Sequence, residues 1–250
     1  VRALLLAAVL AGVARADPAA ADIVADAPSV APGGAIRVGV RFRLEPRWHV
    51  YWKNPGDSGA APTVRWKLPE GVTASEIEWP APQRIPTPPF MTFGYDGEVV
   101  LAAEVSVPKG YAAPTLPVAA DVEWLVCNAD MCIPGDAKLS TEIPVRPEPA
   151  SRKPLAALPV PAGAVSARYR GDRILLLAPG APSFFFPAEA MVLDHAAVQP
   201  RAIEGGLLLT PAKEHEGPVA RLRGVLTFES GPAWDVEVAV EPGAGSGNSL

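Results

Sequence analysis

Ile36-Arg37-Val38-Gly39-Val40-Arg41-Phe42-Arg43-Leu44 sets an apolar side chain at every even position and a charged or small one at every odd position. That period of two belongs to a strand with one face buried and the other in water. The pattern recurs outward from it. Val99, Leu101, Ala103, Val105 and Val107 share a face, as do Val122, Trp124 and Val126, and then Leu139, Thr141, Ile143 and Val145. Residues 63–68 and 77–79 read as weaker strands, and residues before about Pro32 carry no clear pattern. Turn residues separate the runs at Asn54-Pro55-Gly56-Asp57, Pro69-Glu70-Gly71, Asp96-Gly97 and Lys109-Gly110. With 30 prolines and 22 glycines among 250 residues, many short strands joined by turns fit and long helices do not. The chain is read as all-β.

Its length suits two domains of ordinary size. Residues 1–16 read as a signal peptide: Arg2, a short apolar run, then small residues at Ala14 and Ala16. Residues 17–146 form a first domain. Residues 147–161, dense in proline, read as a stiff linker. Residues 162–242 form a second, smaller β domain, and 243–250 a flexible tail. Without Arg2 and Arg15 the chain keeps 20 basic and 27 acidic residues, a formal charge of −7, so nucleic acid is excluded as a partner. No later run reaches the ~20 apolar residues of a membrane-spanning helix.

Export leads to a compartment where disulfides persist, and the two cysteines, Cys127 and Cys132, are expected to pair. They flank a four-residue loop between two strands, and facing strand positions lie about 4.5–5.5 Å apart at Cα, within disulfide range. Three readings compete for the pair. As a staple it is weak: a six-residue loop is worth about 2 kcal/mol on the chain-entropy estimate, against about 4 kcal/mol for a loop of some fifty residues. As a soft metal site it would need His49, His195 or His215, of which only His49 shares the domain, and structural zinc wants four ligands. No metal or cofactor is therefore expected. As a redox pair it lacks Lys, Arg or His within five positions on either side, which favours a raised thiol pKa and reaction only with a docked partner.

Two aromatic segments remain. Trp48-His49-Val50-Tyr51-Trp52 divides between two faces of an extended chain, and residues 88–97 read as an aromatic loop that either packs on itself or covers the cysteines. Trp48-His49-Val50-Tyr51-Trp52-Lys53-Asn54-Pro55-Gly56-Asp57-Ser58-Gly59, then Phe93-Gly94-Tyr95-Asp96-Gly97-Glu98, then Trp124-Leu125-Val126-Cys127 and Cys132-Ile133-Pro134 resemble the periplasmic N-terminal region of DsbD-type thiol:disulfide interchange proteins, in particular the ScsB (suppressor of copper sensitivity) branch. Phe185-Phe186-Pro187 and Asp194-His195-Ala196-Ala197 extend the resemblance into the second half.

The resemblance implies an immunoglobulin-like β-sandwich followed by a second, smaller β-sandwich. It also implies a periplasmic protein-disulfide reductase component, which takes electrons from a membrane-embedded donor of the DsbD type and passes them to periplasmic thioredoxin-like or disulfide isomerase proteins. Cys132 would attack partners, Cys127 would resolve the mixed disulfide, and Phe93 or Tyr95 would cap the pair. The family has a five-residue spacer where this chain has four, and its members continue into a membrane domain and a thioredoxin-like domain. The alternative is a protein-binding or copper-handling β-sandwich module with a purely structural disulfide.

Overall fold

The structure, a computed structural model, describes residues 17–148, 150–202 and 205–243. The expected signal peptide, and the expected tail from residue 244 on, lie outside them. Among the described residues there is no helix. The first half contains β1 (Ala19–Ala25), β2 (Ala35–Leu44), β3 (His49–Gly56), β4 (Thr63–Lys67), β5 (Thr73–Ala74), β6 (Gln83–Thr87), β7 (Phe90–Asp96), β8 (Glu98–Ser106), β9 (Thr115–Cys127) and β10 (Cys132–Pro144). One sheet runs β1-β2-β8-β5, and the other β10-β9-β3-β7-β6, with β4 also on β9.

The alternation in β2 decides how these sheets meet. Ile36, Val38, Val40 and Phe42 are fully buried. Arg37 and Arg41 face outward, in ion pairs with Glu78 and Asp22. Leu116, Val118, Ala120, Val122, Trp124 and Val126 of β9 supply the opposing apolar row, and Phe42 meets Trp124 edge-on at 5.4 Å. Burying one such side chain stabilises the fold by about 1.5–3 kcal/mol. The result is a sandwich closed by two apolar faces.

Three segments depart from the sequence reading. Residues 77–79 make only one isolated bridge, Glu78 to Ala102, because Pro80 follows directly and has no N–H for a ladder. The segment 88–97, read as a loop, is mostly strand: β7 pairs with β6 across a turn at the cis Pro88–Pro89 bond. Its Gly94 is a packing glycine, since a Cβ there would overlap the Val50 carbonyl. Residues 19–25, without a clear pattern, form the edge strand β1.

The second half contains β11 (Val160–Pro161), β12 (Ser166–Arg170), β13 (Arg173–Leu177), β14 (Pro182–Pro187), β15 (Leu207–Leu209), β16 (Arg221–Phe228) and β17 (Trp234–Glu241). They form one continuous sheet ordered β14-β16-β17-β12-β13-β15. Ile174, Leu176, Leu207 and Leu209 from one end of it pack with Leu222, Leu226 and Val236 from the other. The sheet therefore closes over its own core.

Between the halves, β14 divides its aromatics by period two. Phe185 enters the second core, whereas Phe184 and Phe186 enter the first, where Phe186 lies 5.1 Å from Phe93 and 6.3 Å from Trp52. One polar join is Asn54, buried at 3% exposure. Its Nδ2 donates to the carbonyls of Pro187 at 2.8 Å and Glu189 at 3.2 Å, and its Oδ1 accepts from Gly56 N–H at 3.1 Å. Replacing Asn54 with Ala strands those groups in an apolar seam. The expected loss is about 2 kcal/mol in urea unfolding; a loss under about 0.5 kcal/mol, the range of ordinary surface substitutions, would show that Asn54 does not hold the seam.

Candidate functional site

β9 and β10 form an unbroken antiparallel hairpin from Thr115–Pro144 to its last pair, Cys127–Cys132. The two sulfurs are bonded, with Cα atoms 4.1 Å apart. The four-residue tip is closed by its own first residue. Asn128 Oδ1 accepts from the N–H groups of Asp130 at 2.8 Å and Met131 at 2.9 Å, and Asn128 N–H donates to the Met131 carbonyl at 2.9 Å. This is the local turn that Asn side chains favour. The hairpin thus has a closure independent of the disulfide.

Because Val126 points into the sandwich, Cys127 leaves the sheet on the outer face. It is nonetheless buried, at 1% exposure, whereas Cys132 is exposed. The cover comes from β3. Its single pair with β9 sets His49 opposite Cys127, so His49 and Tyr51 project on the disulfide side, while Val50 and Trp52 fill the core. The Tyr51 hydroxyl lies 3.9 Å from Cys132 Sγ; with the sulfurs bonded only the phenol carries a proton, so it donates. Burial raises the Tyr51 pKa, keeping the phenol neutral. The ring rests on Gly59, whose φ of +100° and lack of a side chain leave room that any Cβ would take from it.

His49 stands edge-on to Tyr51, ring centroids 5.1 Å apart. It is 3% exposed. Burial lowers its pKa, and the Asp96 carboxylate opposes that shift. The sequence within five positions of either cysteine holds no histidine. Pairing across strands supplies one, and local spacing had no means of showing it.

The two cap candidates lie elsewhere. Gly94 and Asp96 of β7 pair with Tyr51 and His49, so Phe93 and Tyr95 point to the opposite face, into the core. Phe93 is fully buried among Phe184, Phe186 and His195. Tyr95 donates its hydroxyl to the Pro80 carbonyl at 2.8 Å. The resemblance placed the cap on this segment, which the sequence reading took for a loop, so no face was assigned to its residues. The aromatic side chain at the sulfur is Tyr51. His195, from the second resemblance motif, lies at the seam, with Nδ1 3.0 Å from Asp57 Oδ1.

Residues 17–144 match the family described as "Thiol:disulfide interchange protein DsbD, N-terminal". The N-terminal periplasmic domain of ScsB from Proteus mirabilis shares the fold, with a TM-score of 0.64 at 23% identity over 91% of this chain and 95% of that one. The N-terminal domain of Neisseria meningitidis DsbD in the reduced form is 17% identical over 50% of this chain and 85% of its own, with a TM-score of 0.26. No curated protein matches.

The geometry separates cover from core by experiment. Tyr51→Ala opens the approach to Cys132 and is expected to speed reduction of the disulfide by a small thiol several-fold, since access limits such exchange. Phe93→Ala is expected instead to cost about 3–5 kcal/mol of stability. The reverse pattern, measured by reduction rate and thermal unfolding of both variants, would return the cap to Phe93.

Proposed function

The chain belongs to the family of thiol:disulfide interchange proteins of the DsbD N-terminal type, and on that footing we propose that it is a periplasmic relay. It accepts electrons from a membrane-embedded donor and reduces oxidised periplasmic thioredoxin-like or disulfide isomerase proteins. The observation that carries the reading is the unequal exposure of the two bonded sulfurs' residues, Cys132 open and Cys127 buried. Exchange needs an attacking thiolate that a large protein can reach and a resolving thiol that need reach only its neighbour.

In the first step Cys132 thiolate attacks a partner disulfide, forming a mixed disulfide and releasing one partner thiolate. In the second, Cys127 attacks Cys132 Sγ, restoring the internal bond and releasing the second partner thiol. Two electrons pass to the partner, and the donor returns them by the reverse exchange. Met131, 43% exposed at the hairpin tip, offers a pliable apolar contact beside Cys132 for such a partner. The acidic balance and the absence of a basic stripe suit protein rather than nucleic-acid surfaces.

The competing reading is a staple in a binding or copper-handling module. Two measurements separate them. Cys127→Ala is expected to trap oxidised partner on Cys132 as a mixed disulfide on a non-reducing gel, whereas Cys132→Ala traps none; equal trapping by both would reverse or remove the assigned roles. Cys127→Ala/Cys132→Ala is expected to lose at most about 2 kcal/mol of stability and all exchange. Global unfolding of that double variant, or a reduction potential below about −300 mV for the pair, would identify a structural bridge.

A further inference from the structure

Three residues of three neighbouring strands stand in one row across the outer face of the sheet. Cys127 of β9 pairs with His49 of β3, and His49 pairs with Asp96 of β7. Directly opposed residues project on the same face with Cβ atoms about 4.5–5.5 Å apart. The order is thiol, imidazole, carboxylate, the arrangement in which a base takes a proton from a nucleophile and a third group supports the base. His49 Nε2 is buried and has no hydrogen-bond partner while the sulfurs are bonded. A buried polar atom without a partner calls for an explanation, and one is a partner that exists only in the other redox state. Reduction supplies it, because the disulfide takes up two electrons and two protons and Cys127 then carries an S–H beneath the cover that His49 and Tyr51 provide.

We propose that His49 is the proton acceptor for Cys127 in the resolving step, with Asp96 supporting the charged imidazole. The inference rests on the exchange reading above and specifies how its second step proceeds. Cys127 S–H gives its proton to His49 as its sulfur attacks Cys132 Sγ in the mixed disulfide. The Cys127–Cys132 bond forms, the Cys132–partner bond breaks, and its electron pair leaves on the partner thiolate. The imidazolium then passes that proton to the partner thiolate or to water, so His49 ends the step neutral and the chain has given up the one proton that Cys127 carried.

The groups facing His49 fit this cycle. Tyr51 lies beside it on β3, neutral and edge-on. Cys127 and Cys132 lie on the β9 and β10 side. Asp96 is the charged group acting on it from β7. Burial keeps the resting imidazole uncharged and able to accept, and the Asp96 carboxylate steadies the cation formed on acceptance. Asp96 itself is exposed, which puts solvent at the far end of the row.

The test follows the resolving step alone. The reduced full chain is mixed at pH 5 with one equivalent of 5,5′-dithiobis(2-nitrobenzoate); the first thionitrobenzoate released marks the mixed disulfide. A jump to pH 6–10 then starts release of the second, which reports attack by Cys127. His49→Phe is expected to slow the second release about 100-fold at pH 7, the lower range for removal of a general base, and to leave the first unchanged. The deficit should vanish near pH 10, where the thiol ionises unaided. His49→Gln, polar but not basic, should show the same loss, and it decides the matter if the Phe variant lacks the native near-ultraviolet dichroism. Asp96→Asn should slow the second release to a smaller degree.

Second release at the wild-type rate in the Gln variant, or slowed by one factor at every pH, would overturn the role of His49 and leave the relay standing. A first release that is as fast in Cys132→Ser as in the wild type would instead overturn the exchange reading, and this inference with it.

Discussion

β3 joins the ladder of β9 at one residue pair, His49 with Cys127, and most of what is specific to this molecule depends on that meeting. At the pair, alternation sends His49 and Tyr51 outward over the sulfurs and Val50 and Trp52 inward to the core. Beyond Tyr51 the strand bulges away, so that Gly56 rather than a nearer residue pairs with Thr92. β4 then takes up the vacated edge of β9, from Thr63 opposite Glu123. The excursion delivers Asn54 and Asp57 to the second half and Gly59 to the Tyr51 ring. One short strand thus fixes the site, the seam and part of the core, and none can shift without the others.

The seam has a related economy. A strand with period two has only two faces, and β14 gives one to each core: Phe185 to its own half, Phe184 and Phe186 to the other. Four aromatic groups, Phe93, Phe184, Phe186 and His195, meet at edge-on angles, the geometry that ring quadrupoles favour. Segment 147–161, read as a stiff linker, is itself pinned: Arg152 bonds the buried Asp26 carboxylate, and Val160 and Pro161 pair with β17. Composition showed its proline content but not its partners.

Much of the fold was legible because burial on one face imprints a period on sequence. β2, β8 and β9 carry it without interruption, and the hairpin that holds the cysteines follows from it. β7 was missed because Gly94 and the turn residues around it imitate a loop, and the reason for Gly94 is the backbone of β3, which a linear reading does not contain. The cysteine pair was found from export and count. The cap was placed on Phe93 or Tyr95 by the resemblance alone, and which aromatic faces the sulfurs depends on a second strand, here β3 across from Gly94. His49 had been weighed as a metal ligand but not as a proton acceptor. Its position beside Cys127 is a matter of register between residues 78 apart in the chain.

The turn made by Asn128 has a consequence for how the redox state is read. The tip is latched by an amide side chain and the strands by their ladder, so the Cα atoms of the two cysteines are held together whether or not their sulfurs are bonded. Opening the bond asks for side-chain rotation and leaves the scaffold where it was. On the proposed relay, a visitor to this surface would meet the same backbone outline before and after electron transfer, and would tell donor from acceptor by chemistry at a single sulfur. Spent and charged forms would then compete for one berth on equal terms, with the direction of that proposed traffic set by the relative abundance and potential of the visitors.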